Sequence, residues 1–490
     1  MKMKSHSAIL AVFIFAVFFL VSCKTQPTGN EIPVTTTSKE ALNFFLDGRD
    51  KFENIEFITA ASLFDKAIQT DPNFAMAYLY RSRSGDGSNV FRQNLDKAVS
   101  LIDKVSDGEK NEILYYLAQA DDNGQKQKEY LDQLLLSFPS DKRVHMMAGQ
   151  YYYNLNDYST ALIHYNKVIE LDKDFASAYN RIGYCQSELN NYGEAEKAFL
   201  TYKKIFPGKA NPYDSYGEFL LKTGKYDESI EQYKKAAEID PINFAASLRG
   251  IGNNYIFKGD YESARKYYQD YFDQASVISE KLSALYFIAT SFVHEGKTEN
   301  ALMTFNEFRA LAEKENLARV VVFSYIDEAS ILRESGNPAE GLKYSEKAID
   351  LAGKLPVSEP LRELVITITT TIHFDVLAAN NELEKATVEA EKCKLRVESR
   401  KNPAEESQLY SFLARLEFRK GNYDKAIEYF NKFVVEDPTR WYYTAMAYKN
   451  KGEKQNAFKL FEKITQWNEN SLSLAFVLKL SMEELKKQNN

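Results

Sequence analysis

Three consecutive stretches of this 490-residue chain carry one pattern at a fixed 34-residue spacing: "NDYSTALIHYNKVIELDKDFASAY" from Asn156, "NNYGEAEKAFLTYKKIFPGKANPY" from Asn190 and "GKYDESIEQYKKAAEIDPINFAAS" from Gly224. The apolar and small positions coincide while the polar positions drift, so the repeated object is a packing unit. In the middle unit Tyr179, Ile182 and Gly183 share one helical stripe. Ala195, Phe199 and Tyr202 share another, and Pro207 ends the second helix. Intervals of three and four place each set on one helix face, and a break of a few residues between them folds the two helices antiparallel. Gly183 and Ala195 are small because the helices cross closely there.

The slots read His145, Ala148, Gly149, Tyr152, Ala161, Tyr165 and Val168 in the first unit. In the third they read Tyr213, Tyr216, Gly217, Leu220, Ser229, Tyr233, Ala236 and Pro241. This pattern resembles the tetratricopeptide repeat, and the resemblance implies an all-α chain: an α-solenoid, a right-handed superhelix of helix-turn-helix repeats. Related anchors at Ala60, Ala98, Gln127, Ala264, Ala301, Gly341, Ala386, Ala426 and Ala457 bring the count to about twelve units. Successive anchors are 38, 29, 34, 34, 34, 35, 37, 40, 45, 40 and 31 residues apart. The longer periods after Ala264 predict helices extended by a turn, or longer returning loops, with an internal boundary near 275 to 320. The expected division is therefore repeats over 40–275, longer repeats over 276–470, and a capping helix and tail over 471–490.

The start of the chain reads differently. Lys2 and Lys4 precede an apolar run from Ala8 to Val21, too short for a membrane-spanning helix and right for the apolar region of a signal peptide. It ends in Leu20-Val21-Ser22-Cys23, which is similar to the lipobox of bacterial lipoproteins. That resemblance implies lipid attachment at the Cys23 thiol and removal of 1–22, and Lys24 in place of an Asp favours the outer membrane over the inner. Whether such a protein faces the periplasm or the cell surface stays open. Residues 23–39 are polar, aperiodic and rich in Thr, Pro and Gly, and are expected to form a flexible tether.

The formal charge of −7, with both signs interspersed, offers no footprint for a phosphate backbone, so nucleic acid is not an expected partner. Loss of Lys2 and Lys4 would take the charge to −7 − 2 = −9. Cys185 and Cys393 fall at apolar slots and read as buried thiols. "GDGSNV" from Gly85 lacks the third glycine and the strand of a dinucleotide fingerprint, and "ADDNGQ" from Ala120 lacks the alternating ligands of a calcium loop, so both read as turns. His145, His164, His294 and His373 are scattered over separate segments. No cofactor, metal or catalytic site is expected, and the chain does not read as an enzyme.

What remains is a surface. The resemblance implies that the first helix of each pair lines a concave groove in which a protein or peptide segment lies. Its outward positions give Gln150, Tyr153, Asn180, Tyr184, Asp214, Glu218, Arg249 and Asn253 as candidate contacts. Amides can hold a partner's backbone and tyrosines can stack on it. The leading expectation is a lipid-anchored adaptor of an envelope assembly. The alternatives are a carbohydrate- or polymer-binding lipoprotein of an uptake system and a self-associating spacer. Trp441 falls at a packing slot, and Trp467 is either a cap contact or an interface anchor.

Overall fold

The computed structural model describes residues 31–85, 87–121, 123–400, 403–432 and 435–488. The signal segment and Cys23 lie outside the described residues. Twenty-five α-helices and one 3-10 turn make up the described chain, and no strand occurs among the described residues. Two compact units are present, 1–173 and 174–490. The boundary expected near 275 to 320 falls inside the second.

The first unit holds four helix pairs: α1 (Lys39–Glu53) with α2 (Phe57–Thr70), α3 (Ala75–Ser82) with α4 (Ser88–Val99), α5 (Asp107–Ala120) with α6 (Gly124–Ser137), and α7 (Lys142–Asn154) with α8 (Tyr158–Leu171). The second holds eight. Its regular part is α9 (Ala176–Glu188), α10 (Tyr192–Ile205), α11 (Asn211–Lys222), α12 (Tyr226–Ile239), α13 (Ala246–Phe257) and α14 (Tyr261–Gln274). It continues through α15 (Ile278–Glu295), α16 (Thr298–Lys314), α17 (Ala318–Glu334), α18 (Pro338–Gly353), α19 (Glu359–Ala379), α20 (Leu383–Arg400) and α21 (Pro403–Arg419). The last are α22 (Tyr423–Lys432), α23 (Pro438–Asn450), α24 (Lys454–Thr465) and the unpaired α25 (Leu472–Gln488). Each unit is thus a run of helix pairs, an all-α solenoid.

The small slots do what the sequence asks of them. A Cβ on Gly183 would lie 2.7 Å from the Phe199 ring, and one on Gly149 would lie 2.4 Å from the Tyr165 ring. Ala161 and Ala195 are fully buried. An aromatic of the second helix therefore seats directly on backbone of the first, which fixes the distance between the helices. Replacing Gly183→Ala is expected to cost about 1–3 kcal/mol by overpacking. Gly193→Ala, at a helical site with nothing within 4 Å, should be neutral or gain up to about 1 kcal/mol. Thermal melts of the two variants check the contrast.

Among the described residues, the turn inside every pair but α5–α6 is closed by a residue with positive φ, most often asparagine or glycine, such as Asn190 at 59° and Gly224 at 77°. The irregular spacing of the later anchors has a simple structural origin. Helices α9 to α14 run 12 to 14 residues, whereas α15 to α21 run 16 to 21. The extra residues went into longer helices.

Two expectations need correction. Residues 31–38, assigned to a flexible tether reaching 39, are pinned to the first unit: the Ile32 amide donates to Asp141 Oδ2 at 2.7 Å and the Thr35 amide to Glu109 Oε1 at 2.7 Å. The tether reading failed because these bonds come from backbone, which leaves no side-chain periodicity to detect. The histidines are also less scattered than their numbering suggests, since α7 and α8 bring His145 Nδ1 within 3.1 Å of His164 Nδ1. Among the described residues no group of three or more His, Cys, Asp or Glu is placed to hold a metal ion. Cys185 and Cys393 are buried free thiols, pushed up by burial to about 12 and about 11, respectively. The thiolate needed for reactivity is scarce at neutral pH.

Candidate functional site

The inward faces of α11 and α13 line a cleft of 820 Å³ in the second unit. Asp214, Glu218 and Leu221 come from α11, and Arg249, Gly250 and Asn253 from α13. The facing wall is not a repeat helix. It is the loop between α24 and α25, which brings Trp467, Asn468, Glu469 and Asn470 back across the repeats.

Asparagines hold that loop in place. Asn468 Oδ1 accepts from Tyr226 Oη at 2.7 Å, and its Nδ2 donates to the Lys222 carbonyl at 3.3 Å. Asn470 Nδ2 donates to Asn253 Oδ1 and to Tyr268 Oη, each at 3.0 Å, while its Oδ1 lies 3.0 Å from His294 Nε2. With Asn470 Oδ1 as acceptor, His294 carries its proton on Nε2. Just beyond, Leu472 is buried in the core formed by α15 and its neighbours, and α25 packs on α15 as well as on α23 and α24. The last helix therefore covers the apolar end of the stack and also closes the unit on itself. The Trp467 ring stands edge-on to Trp441 at 5.1 Å, the cap contact expected of it, and also lines the cleft.

Lys222 pairs with Glu188 at 2.8 Å and Lys463 with Glu436 at 2.6 Å. Asp214, half-buried, accepts from Ser247 Oγ at 2.5 Å, and the exposed Glu218 accepts from Tyr184 Oη at 2.7 Å. Burial pushes the Asp214 carboxyl up to about 6, with Ser247 opposing and the nearby Glu218 adding to the rise. Glu469 is raised as well, again chiefly by burial. Five carboxylates, Glu188, Asp214, Glu218, Glu436 and Glu469, thus face three cations, Lys222, Arg249 and Lys463. The Arg249 guanidinium lies over the Phe287 ring at 5.6 Å.

Four of the eight candidate contacts, Asp214, Glu218, Arg249 and Asn253, line this cleft. The other four do not. Asn180 is buried and donates to Asn211 Oδ1 at 3.2 Å, so it ties α9 to α11. Tyr184 spends its hydroxyl on Glu218 and stands edge-on to Phe199 at 5.3 Å. Gln150 and Tyr153 lie on α7 in the first unit, where Gln150 Nε2 donates to Asn154 at 2.7 Å and Tyr153 meets Tyr158 edge-on. The loop at 466–470 was missed because it has no helical periodicity. Its asparagines and Trp467 were the only available signal.

Models of the tetratricopeptide repeat match residues 128–174, 146–210 and 396–440 in one form, and 210–243, 250–274 and 441–471 in another. The chain carries tetratricopeptide repeats. Anaphase-promoting complex subunit 3 of Schizosaccharomyces pombe is 28% identical over 175 residues, 36% of this chain and 24% of that protein. Superkiller protein 3 of the same yeast is 26% identical over 285 residues, 53% of this chain and 20% of that protein. The Hsp70-Hsp90 organizing protein of Triticum aestivum is 26% identical over 215 residues, 42% of this chain and 34% of that protein. The chain thus spans between about a fifth and about a third of the length of these relatives. Among solved structures, a crystal structure of MamA protein shares 20% identity over 34% of this chain and 91% of that one, with a TM-score of 0.29.

The matched stretches 210–243, 250–274 and 441–471 all contribute walls to the cleft. Repeat helices supply Asp214 and Arg249, and the returning loop supplies the facing side. The arrangement suits holding a polypeptide or another extended polar ligand by amides, aromatic faces and charge.

Proposed function

We propose that this chain is a scaffold that seats a protein partner in the cleft of its second unit, and that it does so at the outer membrane of a bacterial envelope, attached through lipid on Cys23. The observation that carries the first part is the closed cleft itself: side chains of α11 and α13 meet a loop some 217 residues away through Asn253 and Asn470. Such a cavity has a floor of repeat helices and an acidic lining, which favours a polypeptide segment bearing lysine or arginine. The relatives add support of a general kind, since the printed names of two of them describe a complex subunit and an organizing protein. The anchor rests on the signal pattern and Cys23 alone.

Each part has its own test. Cys23→Ala should move the protein from the membrane fraction to the soluble fraction of its host, and retention on the membrane would remove the lipid reading. For the cleft, a photo-crosslinking residue at Leu221 should capture a discrete partner identified by mass spectrometry. Asp214→Lys with Glu218→Lys should abolish the adduct. Adducts that survive the reversal, or that form equally from the exposed Glu231 of α12, would contradict the cleft reading and move glycan binding or a spacer role ahead.

A further inference from the structure

In the first unit, residues 31–37 lie as an extended segment across the starts of three successive repeats, and one carboxylate at each start holds them. Asp141 accepts the Ile32 amide at 2.7 Å. Glu109 accepts both the Thr35 amide and the Thr35 hydroxyl at 2.7 Å. Asp71 accepts the Thr36 hydroxyl at 2.6 Å and the Thr37 amide at 3.4 Å. Each carboxylate also binds local backbone: Asp141 Oδ1 takes the Arg143 amide at 2.8 Å, Glu109 Oε2 takes the Ser106 amide at 2.9 Å, and Asp71 Oδ1 takes the Asn73 amide at 3.0 Å. Helix-start capping by Glu109 and Asp141, and the turn after α2 closed by Asp71, therefore set these acceptors in place before any segment arrives.

The segment covers an apolar floor of Phe45, Met76, Tyr80 and Met147, flanked by Arg49 and Arg143. It covers that floor imperfectly. A void of 20 Å³ remains beneath it, Ile32 and Val34 are only half-buried, and Glu31 stands 3.6 Å from an Arg143 that is already bonded to Glu53 at 2.7 Å.

We propose that the row Asp71, Glu109 and Asp141 is a docking track for an extended segment of a partner protein, and that residues 31–37 occupy it as a displaceable strap. The occupant already seated defines the chemistry: an acidic residue for the arginines, β-branched or proline residues for the floor, and a threonine or serine whose amide and hydroxyl both reach Glu109. A second copy of this chain would bring the same strap with the same fit and gain no bond. A heterologous segment that fills the void gains contacts that residues 31–37 lack. This track is separate from the cleft of the second unit, and its failure would leave the cleft reading untouched.

The test uses the full chain and the fluorescein-labelled peptide EIPVTTTS, read by anisotropy. Ile32→Pro with Thr35→Pro removes the Ile32 amide and both Thr35 donors and leaves only the Thr36 and Thr37 bonds to Asp71, so it should free most of the track while circular dichroism stays at wild type. In the wild type the strap competes at an effective concentration on the order of millimolar, so micromolar peptide should not bind. The double variant should bind it, and adding Glu109→Gln should weaken that binding by about tenfold or more. Thr35→Pro alone, which removes both bonds to Glu109 and keeps the Ile32 amide, should bind at an intermediate level and keeps the test available if the double variant does not fold. A folded strap-free variant that ignores the peptide overturns the proposal, as does equal binding by wild type. A wild-type dimer dissolved by the peptide would assign the track to a second copy and overturn it too.

Discussion

Asp375→Ala should destabilise the second unit by about 3–5 kcal/mol, a loss visible as a lowered thermal midpoint and a lowered urea midpoint at neutral pH. Asp375 is fully buried on α19, with Arg333 Nη1 of α17 at 2.8 Å and Arg415 Nε of α21 at 3.2 Å from one of its oxygens. Arg419 Nε approaches the other at 3.9 Å. Glu334 completes the group, 2.5 Å from Arg415 Nη2 and 3.2 Å from the Tyr443 hydroxyl. Burial works to raise the Glu334 carboxyl, but Arg333, Arg415 and Arg419 overcome it and hold it down to about 2.

Three guanidiniums thus share two carboxylates, and the group carries one positive charge in excess. Removing Asp375 leaves the arginines with Glu334 alone, in a place where an uncompensated charge is costly. Asp375→Asn keeps the shape and should lose nearly as much, which separates charge from packing. If both variants melt with the wild type, the cluster does not stabilise the unit and the account of it fails.

Acidification from about pH 6.5 to about pH 4 should weaken the closure of the second unit by about 3 kcal/mol through His294 alone. Burial depresses this imidazole to about 4, and its hydrogen bond to Asn470 opposes the fall only in part. The unfolded chain, with an ordinary histidine near 6.5, takes up a proton over that window while the folded chain does not. Stability from this group is therefore complete above the ordinary value and is lost as pH falls toward the depressed one. Asp214, raised to about 6, works in the opposite direction over an overlapping range. His294→Gln isolates the effect, because glutamine can still donate to Asn470 and does not titrate. The difference in melting midpoint between wild type and His294→Gln should shrink or reverse between pH 7 and pH 4.5; a constant difference would mean that the folded chain protonates His294 as readily as the unfolded chain does.

Residues that recur were the legible ones. Gly183 and Phe199, Ala195 and Tyr202 announce their roles by spacing, because helix-pair packing uses contacts within about one repeat of sequence. The lengthened helices from α15 to α21 were likewise visible as stretched anchor intervals. Asp214, Glu218, Arg249 and Asn253 could be placed on an inward face by counting from packing slots. Asn180 and Tyr184 satisfied the same count, yet the neighbouring α11 lies close enough to consume their polar groups.

Features built from non-repeating chain were silent. Asn470 reaches Asn253 and Tyr268 across more than two hundred residues, and no periodicity links them. The strap at 31–37 looks like a polar linker because its backbone makes several of its bonds. Its acceptors, Glu109 and Asp141 at helix starts and Asp71 at the end of α2, read as ordinary caps, and their bonds to the strap are apparent only in three dimensions.

The most direct test of the central claim is amide hydrogen exchange of the full chain with and without the partner captured at Leu221. A partner seated in the cleft should slow exchange in α11, in α13 and across 466–470, and leave α12 and α14 unchanged. Protection confined to the outward helices, or spread evenly with none at 466–470, would contradict it.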